Sequence, residues 1–172
     1  MLNSNQKTII KPIKLTGVGL HNGVNADLVI YPAEENFGIK FTKNVMSAHR
    51  TPHDVMELIK DSEKNGCKVF IAAAGMAAHL AGAVAAHSTK PVIGIPIESG
   101  GMGGIDSLLS TAMMPPGVPV ATVAVGKSGA KNSAILAVQI LATSDDDLAR
   151  KLKDYKENMR AEVLEKDKKL NS

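Results

Sequence analysis

Apolar and polar residues alternate along residues 24–31, the sequence VNADLVIY. A period of two places successive side chains on opposite faces of a strand, so this pattern predicts a β-strand. Residues 7–15 and 39–42 are further strand candidates. The stretches 17–23 and 32–38 contain turn-forming glycine, asparagine and proline residues. The first 44 residues are therefore predicted to be β-rich.

The sequence changes character at about residue 45. Thr51 and Pro52 predict a helix start, and Gly66 predicts its end. Beyond it, short apolar runs predict strands at 68–73, 91–97 and 118–125, alternating with predicted helices at 77–86, 106–113 and 128–143. Strands of this kind joined by helices are typical of a parallel sheet buried on both faces. We therefore predict an α/β fold with ligand-binding loops at the carboxyl ends of the strands.

The last segment is predicted to be one helix. Ser144 and the three aspartates that follow it suit a helix N-terminus. The apolar residues at helical spacing are Leu148, Leu152, Tyr155, Met159 and Val163. Eight acidic and eight basic residues in 145–172 are interpreted as a solvated face. Packing of this helix on another subunit is the alternative.

Composition narrows the class of protein. The chain has 172 residues, of which 44% are hydrophobic and 22% charged, as expected for one globular domain. No apolar run reaches the roughly 18 residues of a membrane span, and lysines interrupt the N-terminal apolar residues, so we expect no membrane association, no secretory signal and a cytoplasmic location. The single cysteine, Cys67, excludes an internal disulfide. A net charge of +3 with 3% aromatic residues gives nucleic-acid binding little support.

Common cofactor motifs are missing. Residues 126–128, GKS, resemble the end of an NTP-binding loop, but Ala121 stands where the leading glycine belongs. Neither GxGxxG nor HExxH is present. His49 and His53 are four residues apart, but Pro52 between them marks a helix start, so a metal pair is disfavoured. No metal and no other cofactor is predicted.

The most informative stretch is SAHR, residues 47–50, directly before a predicted helix. Together with the preceding Val45 and Met46, this stretch is predicted to form the carboxyl edge of a strand. A histidine such as His49 can transfer protons near neutral pH, and the neighbouring Arg50 can bind a phosphate or carboxylate through two hydrogen bonds. From the residues alone, a capping or core role for His49 is equally compatible.

Two stretches of small residues follow the next two predicted strands. Residues 72–80 would let a ligand approach the backbone at a helix start, although close helix packing is the alternative. Residues 98–104 contain four glycines, which indicates either a mobile loop or a backbone pressed against a ligand. Three loops at consecutive strand ends are predicted to form one rim, which favours a binding site there.

Four motifs resemble a known family. SAHRTP, AAAGMAAHLAG, KPVIGIPIESGGMGGIDSLLS and MPPGVPVATVAVGKSGAKNSAILAVQIL closely resemble, in the family's order, the N5-carboxyaminoimidazole ribonucleotide mutases of bacterial purine synthesis. The resemblance covers about residues 45–170. It implies a flavodoxin-like three-layer fold and a homo-octamer with active sites at subunit contacts. It also implies that a carboxylate moves from the exocyclic nitrogen to carbon four of the ribonucleotide without metal or nucleotide.

The resemblance implies roles for particular residues. His49 matches the family's catalytic histidine, a general acid and base. The residues on ligand-contacting positions are Ser47, Arg50, Gly75, His79 and Leu80. Ala74 lies with Ala73 and Gly75 in a stretch that could retain CO2 between decarboxylation and recarboxylation. The form SAHRTP favours the mutase over the related carboxylase that uses free CO2.

The first 44 residues depart from this family. Its members begin with a strand, a Gly-Ser-x-Ser-Asp loop and a helix, none of which is present. Residues 5–42 instead resemble the N-terminus of the zinc-dependent UDP-3-O-acyl-N-acetylglucosamine deacetylase, most specifically in GVGLHNG. That enzyme's zinc-binding segments have no counterpart, so its activity is rejected and His21 is interpreted as an exposed turn residue. We divide the chain into a β-rich segment of foreign character, residues 1–44, and a mutase-like α/β domain with a C-terminal helix, residues 45–172.

The missing strand would lie in the interior of the sheet. Each backbone group buried without a partner costs on the order of 1–3 kcal/mol. We therefore predict that an N-terminal strand, with residues 26–31 as first choice, fills the position, or that the sheet is incomplete. The implied function is isomerisation of N5-carboxyaminoimidazole ribonucleotide in purine biosynthesis. The alternative is a catalytically inert oligomerising domain left by loss of the phosphate loop.

Overall fold

The computed structural model of the chain describes residues 14–18 and 33–172. The strands are β1 (Lys14–Val18), β2 (Lys40–Asn44), β3 (Cys67–Gly75), β4 (Val92–Ile97) and β5 (Ala121–Thr122). They form one parallel sheet in the order β2-β1-β3-β4-β5. The helices are α1 (Pro52–Lys64), α2 (Leu80–His87), α3 (Ile105–Ala112), α4 (Gly126–Ala142) and α5 (Asp146–Leu170). The predicted α/β class with a parallel sheet is confirmed.

Strand β1 lies inside the sheet, between β2 and β3. Leu15 pairs with Phe41 of β2 on one side and with Val69 of β3 on the other. The backbone groups of β2 and β3 therefore find partners in β1 and do not pair with each other. The predicted strand at 26–31 lies outside the described residues, as does the predicted strand at 7–15 except for its last two residues. The interior position for which residues 26–31 were the first choice is occupied by β1 instead.

Two turn predictions are wrong where the structure describes them. The turn predicted at 17–23 begins with two residues that belong to β1, because strands on both sides supply partners for their backbone groups. Residues 33–37 are helical rather than a turn. Their helical turn buries Ala33 and Phe37, and the ring of Phe37 packs against Tyr155 of α5 with centroids 5.6 Å apart. Tertiary packing here outweighs the local preference for a turn.

Two strand boundaries also differ from the prediction. Strand β2 ends at Asn44, so residues 45–47 belong to the following loop rather than to the strand. Strand β5 covers two residues instead of the predicted eight. Pro119 has no N–H to donate, and among the described strands β5 has a neighbour on one side only, so a longer ladder is not supported there.

The sheet is buried on both faces, as predicted. Val69 and Ile71 of β3 contribute to a core cluster that also contains residues of α4 and α5. Phe70 and Ala72 belong to a second cluster with Val55 of α1 and residues of α2. Successive residues of β3 thus alternate between the two faces. Because every described pairing is parallel, the carboxyl ends of these strands lie at one edge of the sheet.

Helix α5 is packed only along its first half. Leu148 and Leu152 are buried in the core, but residues 156–172 are all exposed. Met159 is 43% and Val163 is 64% exposed, so the predicted apolar stripe continues beyond the surface that this chain covers. In the described part of the chain, no helix has the length and apolar content required to cross a membrane.

Candidate active site

A pocket of about 520 Å³ lies at the carboxyl ends of β2 and β3. Its lining consists of residues 45–51 and 73–77 together with His79, Leu80 and Ser99. The predicted site residues that line it are Ser47, His49, Arg50, Ala74, Gly75, His79 and Leu80. The structure therefore brings all of the predicted residues to one pocket, at the sheet edge where parallel α/β proteins bind ligands.

The loop after β2 is closed by hydrogen bonds between Ser47 and Thr51. The Ser47 N–H donates to Thr51 Oγ1 at 2.9 Å, and Thr51 Oγ1 donates to the Ser47 carbonyl at 3.1 Å. The Arg50 N–H donates to Ser47 Oγ at 3.2 Å. With Pro52 starting α1 directly afterwards, this tight turn presents His49 and Arg50 as exposed side chains.

His49 meets a second histidine from the loop after β3. His49 Nε2 lies 2.6 Å from His79 Nδ1, and the two rings are nearly perpendicular, at 80° with centroids 4.7 Å apart. His79 precedes α2, so the crossing of the two loops places both rings at the same side of the pocket. Sequence reasoning predicted both residues at the site but did not predict their contact.

The end of β3 packs closely against the end of β4. A Cβ added to Gly75 would lie 1.8 Å from Ser99 Oγ and 3.0 Å from the Ile97 carbonyl oxygen. Only glycine fits this approach without a shift of its neighbours. The next residue, Met76, has a φ of 55° and is exposed. A non-glycine residue in this region is uncommon and costs on the order of 1 kcal/mol, so the backbone turns sharply at the pocket wall.

The third predicted loop contributes little to the pocket. Of residues 98–104 only Ser99 belongs to the lining, so the third loop of the predicted rim reaches the pocket through one residue. The Ser107 hydroxyl donates to the carbonyls of Ile97 and Gly104 at 2.9 and 3.0 Å, which ties the loop to the start of α3. These contacts hold the loop against its own helix rather than over the pocket.

Several lining residues were not predicted. They are Val45, Met46, Ala48, Thr51, Met76, Ala77 and Ser99. All but Ser99 lie within two residues of a predicted residue in the sequence, so a wider reading of the same motifs would have included them. Ser99 enters through its contact with Gly75, which no local pattern indicates.

The chemistry of the lining suits an anionic ligand. Among the lining residues that the structure describes, Arg50 is the only lysine or arginine, and none is an aspartate or glutamate. Guanidinium groups bind phosphate and carboxylate through paired hydrogen bonds. Among the described residues, no group of three histidine, cysteine, aspartate or glutamate side chains is arranged to hold a metal ion. The pocket thus combines a cation, two imidazoles and a wall of small apolar side chains.

Comparison with known proteins identifies the family. The model of the AIR carboxylase family matches residues 26–162. The chain therefore belongs to the AIR carboxylase family. The match includes β2 and begins within the segment 1–44 that the sequence motifs had set apart.

Curated relatives extend the similarity. The chain is 50% identical over 131 residues to the N5-carboxyaminoimidazole ribonucleotide mutase of Bacillus subtilis, covering 76% of this chain and 81% of that protein. The mutase of Thermotoga maritima is 48% identical over 157 residues, covering 89% of this chain and 91% of that protein.

The crystal structure of Treponema denticola PurE supports the fold. It matches with a TM-score of 0.78 and 28% identity over 94% of this chain and 99% of that chain. The chain has the flavodoxin-like α/β architecture of these proteins.

Proposed function

We propose that this protein isomerises N5-carboxyaminoimidazole ribonucleotide to 4-carboxy-5-aminoimidazole ribonucleotide in de novo purine biosynthesis. The observation that carries the proposal is the position of His49, an exposed imidazole in a pocket lined by every residue assigned to the substrate. Relatives 50% and 48% identical bear the name of this mutase. They favour the active enzyme over an inert oligomerising domain.

The reaction needs two proton transfers, and His49 supplies both. The imidazolium of His49 donates a proton to the exocyclic nitrogen as the carbamate loses CO2. The aminoimidazole that results is electron-rich, and its carbon four attacks the CO2 to form the new carbon–carbon bond. Neutral His49 then removes the proton from carbon four, which restores both the aromatic ring and the imidazolium. Protons balance over the cycle, so the isomerisation consumes no co-reactant.

The other lining residues fit the two anionic groups and the released CO2. Arg50 suits the phosphate or the carboxylate of the substrate, and the Ser47 hydroxyl, which accepts from the Arg50 N–H, still has its own proton to donate. Ala73 and Ala74 form an apolar wall beside Gly75, where CO2 is sheltered from water between the two steps. His79 and Leu80 complete the proposed substrate site.

The test is an absorbance assay of 4-carboxy-5-aminoimidazole ribonucleotide formation with a matched pair of variants. His49→Asn should reduce kcat by about 10²- to 10⁴-fold, the range typical of general acid–base catalysis. His53→Asn is the control, because His53 is exposed in the first turn of α1 and does not line the pocket. Equal rates for wild type and His49→Asn would refute the proposal.

The same assay distinguishes the mutase from the carboxylase reaction. Supplied with the carbamate alone, a mutase forms product, whereas a carboxylase requires aminoimidazole ribonucleotide and CO2. We expect turnover of the carbamate, because SAHRTP is the mutase form of the motif. Turnover only of aminoimidazole ribonucleotide with CO2 would assign the carboxylase reaction instead.

We further propose a cytoplasmic homo-octamer with active sites at subunit contacts. Apolar side chains left exposed by the single chain support an assembly, namely those of Ile105, Leu109, Met113, Met159 and Val163. The first three repeat every fourth residue and form one stripe on α3 and its end. Light scattering after size exclusion should give eight times the 18.1 kDa of the chain. A monomer would contradict the proposal.

We also propose that residues 1–44 are of separate sequence origin from residues 45–172, and that β1 takes the position of the family's first strand. The resemblance of residues 5–42 to the deacetylase N-terminus and the pairing of β1 with β2 and β3 support this. Sequencing the gene across the codons for residues 41–46 tests the junction. Source DNA that lacks it would overturn this proposal and leave the isomerase proposal untouched.

A further inference from the structure

We propose that Met76 keeps released CO2 in the pocket: its thioether side chain covers the apolar wall at the pocket mouth until carbon four of the substrate captures the CO2. This inference rests on the proposed function and deepens it, because it names the residue that commits CO2 to internal transfer. Met76 acts by excluding water and by blocking escape, and it exchanges no proton with the substrate.

The backbone of Met76 is held in a conformation that favours glycine. Its φ is 55°, and among the described residues Met76 is the only one other than glycine with a positive φ. A glycine adopts this conformation without a steric penalty, whereas a methionine does not. Backbone strain of this kind collects at functional sites, where the surrounding structure holds it in place. The strain therefore points to a task for the methionine side chain.

Core packing does not explain the methionine. Met76 is 59% exposed, so it gains little of the stabilisation that a buried methionine side chain contributes. It belongs to neither core cluster of the described part of the chain. Met76 nevertheless lines the pocket. A residue that is both mostly exposed and part of the lining lies at the mouth of the pocket.

Met76 also bridges two loops beside the apolar wall. It directly follows Gly75, where the end of β3 packs closely against the end of β4. A Cβ added to Gly100 would lie 3.7 Å from Met76 Cγ, an ordinary van der Waals distance. The side chain of Met76 thus lies beside the loop after β4 and continues the wall that Ala73 and Ala74 form. An unbranched, adaptable apolar side chain suits the gap between the two loops.

The reaction needs a cover at this place. Loss of CO2 breaks the carbon–nitrogen bond of the carbamate, and the nitrogen takes the proton from His49, so CO2 and aminoimidazole ribonucleotide share the pocket. If CO2 diffuses away, the two are released separately and no carbon–carbon bond forms. CO2 carries no net charge, so Arg50 cannot hold it through an ion pair. An apolar side chain at the pocket mouth keeps water out and slows the escape of CO2.

The experiment compares Met76→Gly with Met76→Leu. The substrate carries ¹³C in its carbamate, the buffer contains unlabelled bicarbonate, and mass spectrometry measures labelled product, unlabelled product and free aminoimidazole ribonucleotide. A blank without protein is subtracted. Wild type should carry the label into the product. In Met76→Gly the ratio of labelled product to the other two species should fall by about tenfold, the low end of the effect of lost apolar contacts in a pocket. Met76→Leu restores an apolar side chain and should keep most of the label.

Three controls separate this task from a structural one. Met102→Gly removes another exposed methionine, which does not line the pocket, and should leave the label ratio at the wild-type value. The urea midpoint of Met76→Gly should stay close to that of wild type, because relief of the strained backbone offsets the greater freedom of the unfolded chain. Light scattering should show the same oligomer for every variant.

Several outcomes would overturn the inference. They are full retention of the label in Met76→Gly, an equal loss of label in Met76→Leu or Met102→Gly, a large fall in the urea midpoint of Met76→Gly, and a changed oligomer. Wild-type protein without isomerase activity would refute the proposed function and this inference with it. An active wild type whose Met76→Gly variant retains the label would refute the inference alone.

Discussion

Two segments rich in small residues, 72–80 at the end of β3 and 98–104 after β4, have different tasks. The first supplies seven residues of the pocket lining, and the second supplies Ser99 alone. Both connect the carboxyl end of a buried parallel strand to the start of a helix. Their position along the chain therefore does not explain why one forms the site and the other borders it.

The glycines of the two segments are present for different local reasons. Gly75 is required by the approach of Ser99, and Gly104 by a φ of 82° with Val125 Cγ1 2.6 Å from an added Cβ. Gly101 has a φ outside the left-handed region and no atom within 4 Å of an added Cβ. One glycine is therefore required by close packing, another by its backbone conformation, and a third by neither. Composition alone does not distinguish these cases.

Among variants of the two segments, the largest effect is expected from Gly75→Ala. The new methyl group would collide with Ser99 and with the Ile97 carbonyl, so the end of β3 must move by a sizeable fraction of an ångström or more. We expect kcat/KM to fall by about 10²-fold because Ala74 directly precedes this position and Met76 directly follows it, and both line the pocket. Overpacking should also lower the free energy of unfolding by about 1–3 kcal/mol, measured by urea denaturation.

The double variant Gly75→Ala with Ser99→Gly tests the cause of this loss. Removing the Ser99 side chain removes the nearest two atoms and leaves the Ile97 carbonyl at 3.0 Å. Partial recovery of stability and activity is expected. A loss that stays unchanged in the double variant would show that contact between the two segments is not the reason for glycine at this position.

Gly104→Ala should affect stability more than activity. The left-handed backbone and the contact with Val125 should reduce the free energy of unfolding by about 1–3 kcal/mol. The pocket includes only Ser99 from this loop, so kcat of the folded protein should change little. Urea denaturation and steady-state kinetics measure both. A fall in kcat as large as that of Gly75→Ala would mean that the two segments act as one site.

Gly101→Ala is the matched control within the same loop. With open space around the new methyl group, we expect the free energy of unfolding to stay the same or to rise by up to about 1 kcal/mol, because alanine reduces the freedom of the unfolded chain. Differential scanning calorimetry would detect the change. Destabilisation comparable to that of Gly104→Ala would contradict this prediction, because the open space around Gly101 would then not be enough to accommodate a methyl group.

The smallest effect is expected far from both segments, at the start of α5. The hydrogen bond from Lys151, 2.9 Å from Asp147 Oδ2, lowers the pKa of Asp147 below its usual 3.8, and the nearby Arg150 acts in the same direction. A carboxyl group whose pKa is lower in the folded protein than in the unfolded chain stabilises the fold at pH values above its unfolded pKa. This stabilisation is lost as the pH falls through its folded pKa. Lys151→Met should bring the pKa of Asp147 back towards 3.8 in an NMR titration, with unchanged activity.

An unchanged pKa of Asp147 in Lys151→Met would contradict the assigned cause. Both side chains are exposed, so the effect on unfolding at neutral pH should be slight. The change in the free energy of unfolding of Lys151→Met serves as the reference for a surface substitution, with which the changes in the glycine variants are compared.

Much of the site could be predicted because its residues are contiguous in the sequence. SAHR occupies one turn between β2 and α1, and AAAGMAAHL spans the end of β3 and the start of α2. The contacts between these stretches could not be predicted in the same way. The pairing of His49 with His79 and of Gly75 with Ser99 joins residues 30 and 24 positions apart, and it depends on how the loops cross at the edge of the sheet.

The sequence by itself determined the α/β class, the apolar strands β3 and β4, and the edge at which the pocket lies. These follow from local periodicity, because a strand buried on both faces must be apolar along its length. Only the tertiary structure decided that Lys14–Val18 lies between β2 and β3, that residues 33–37 are helical, and that the third loop stays at the border of the pocket. Backbone hydrogen bonds are the same for every residue with an N–H, so the choice of strand neighbour depends on packing across the whole sheet rather than on local sequence.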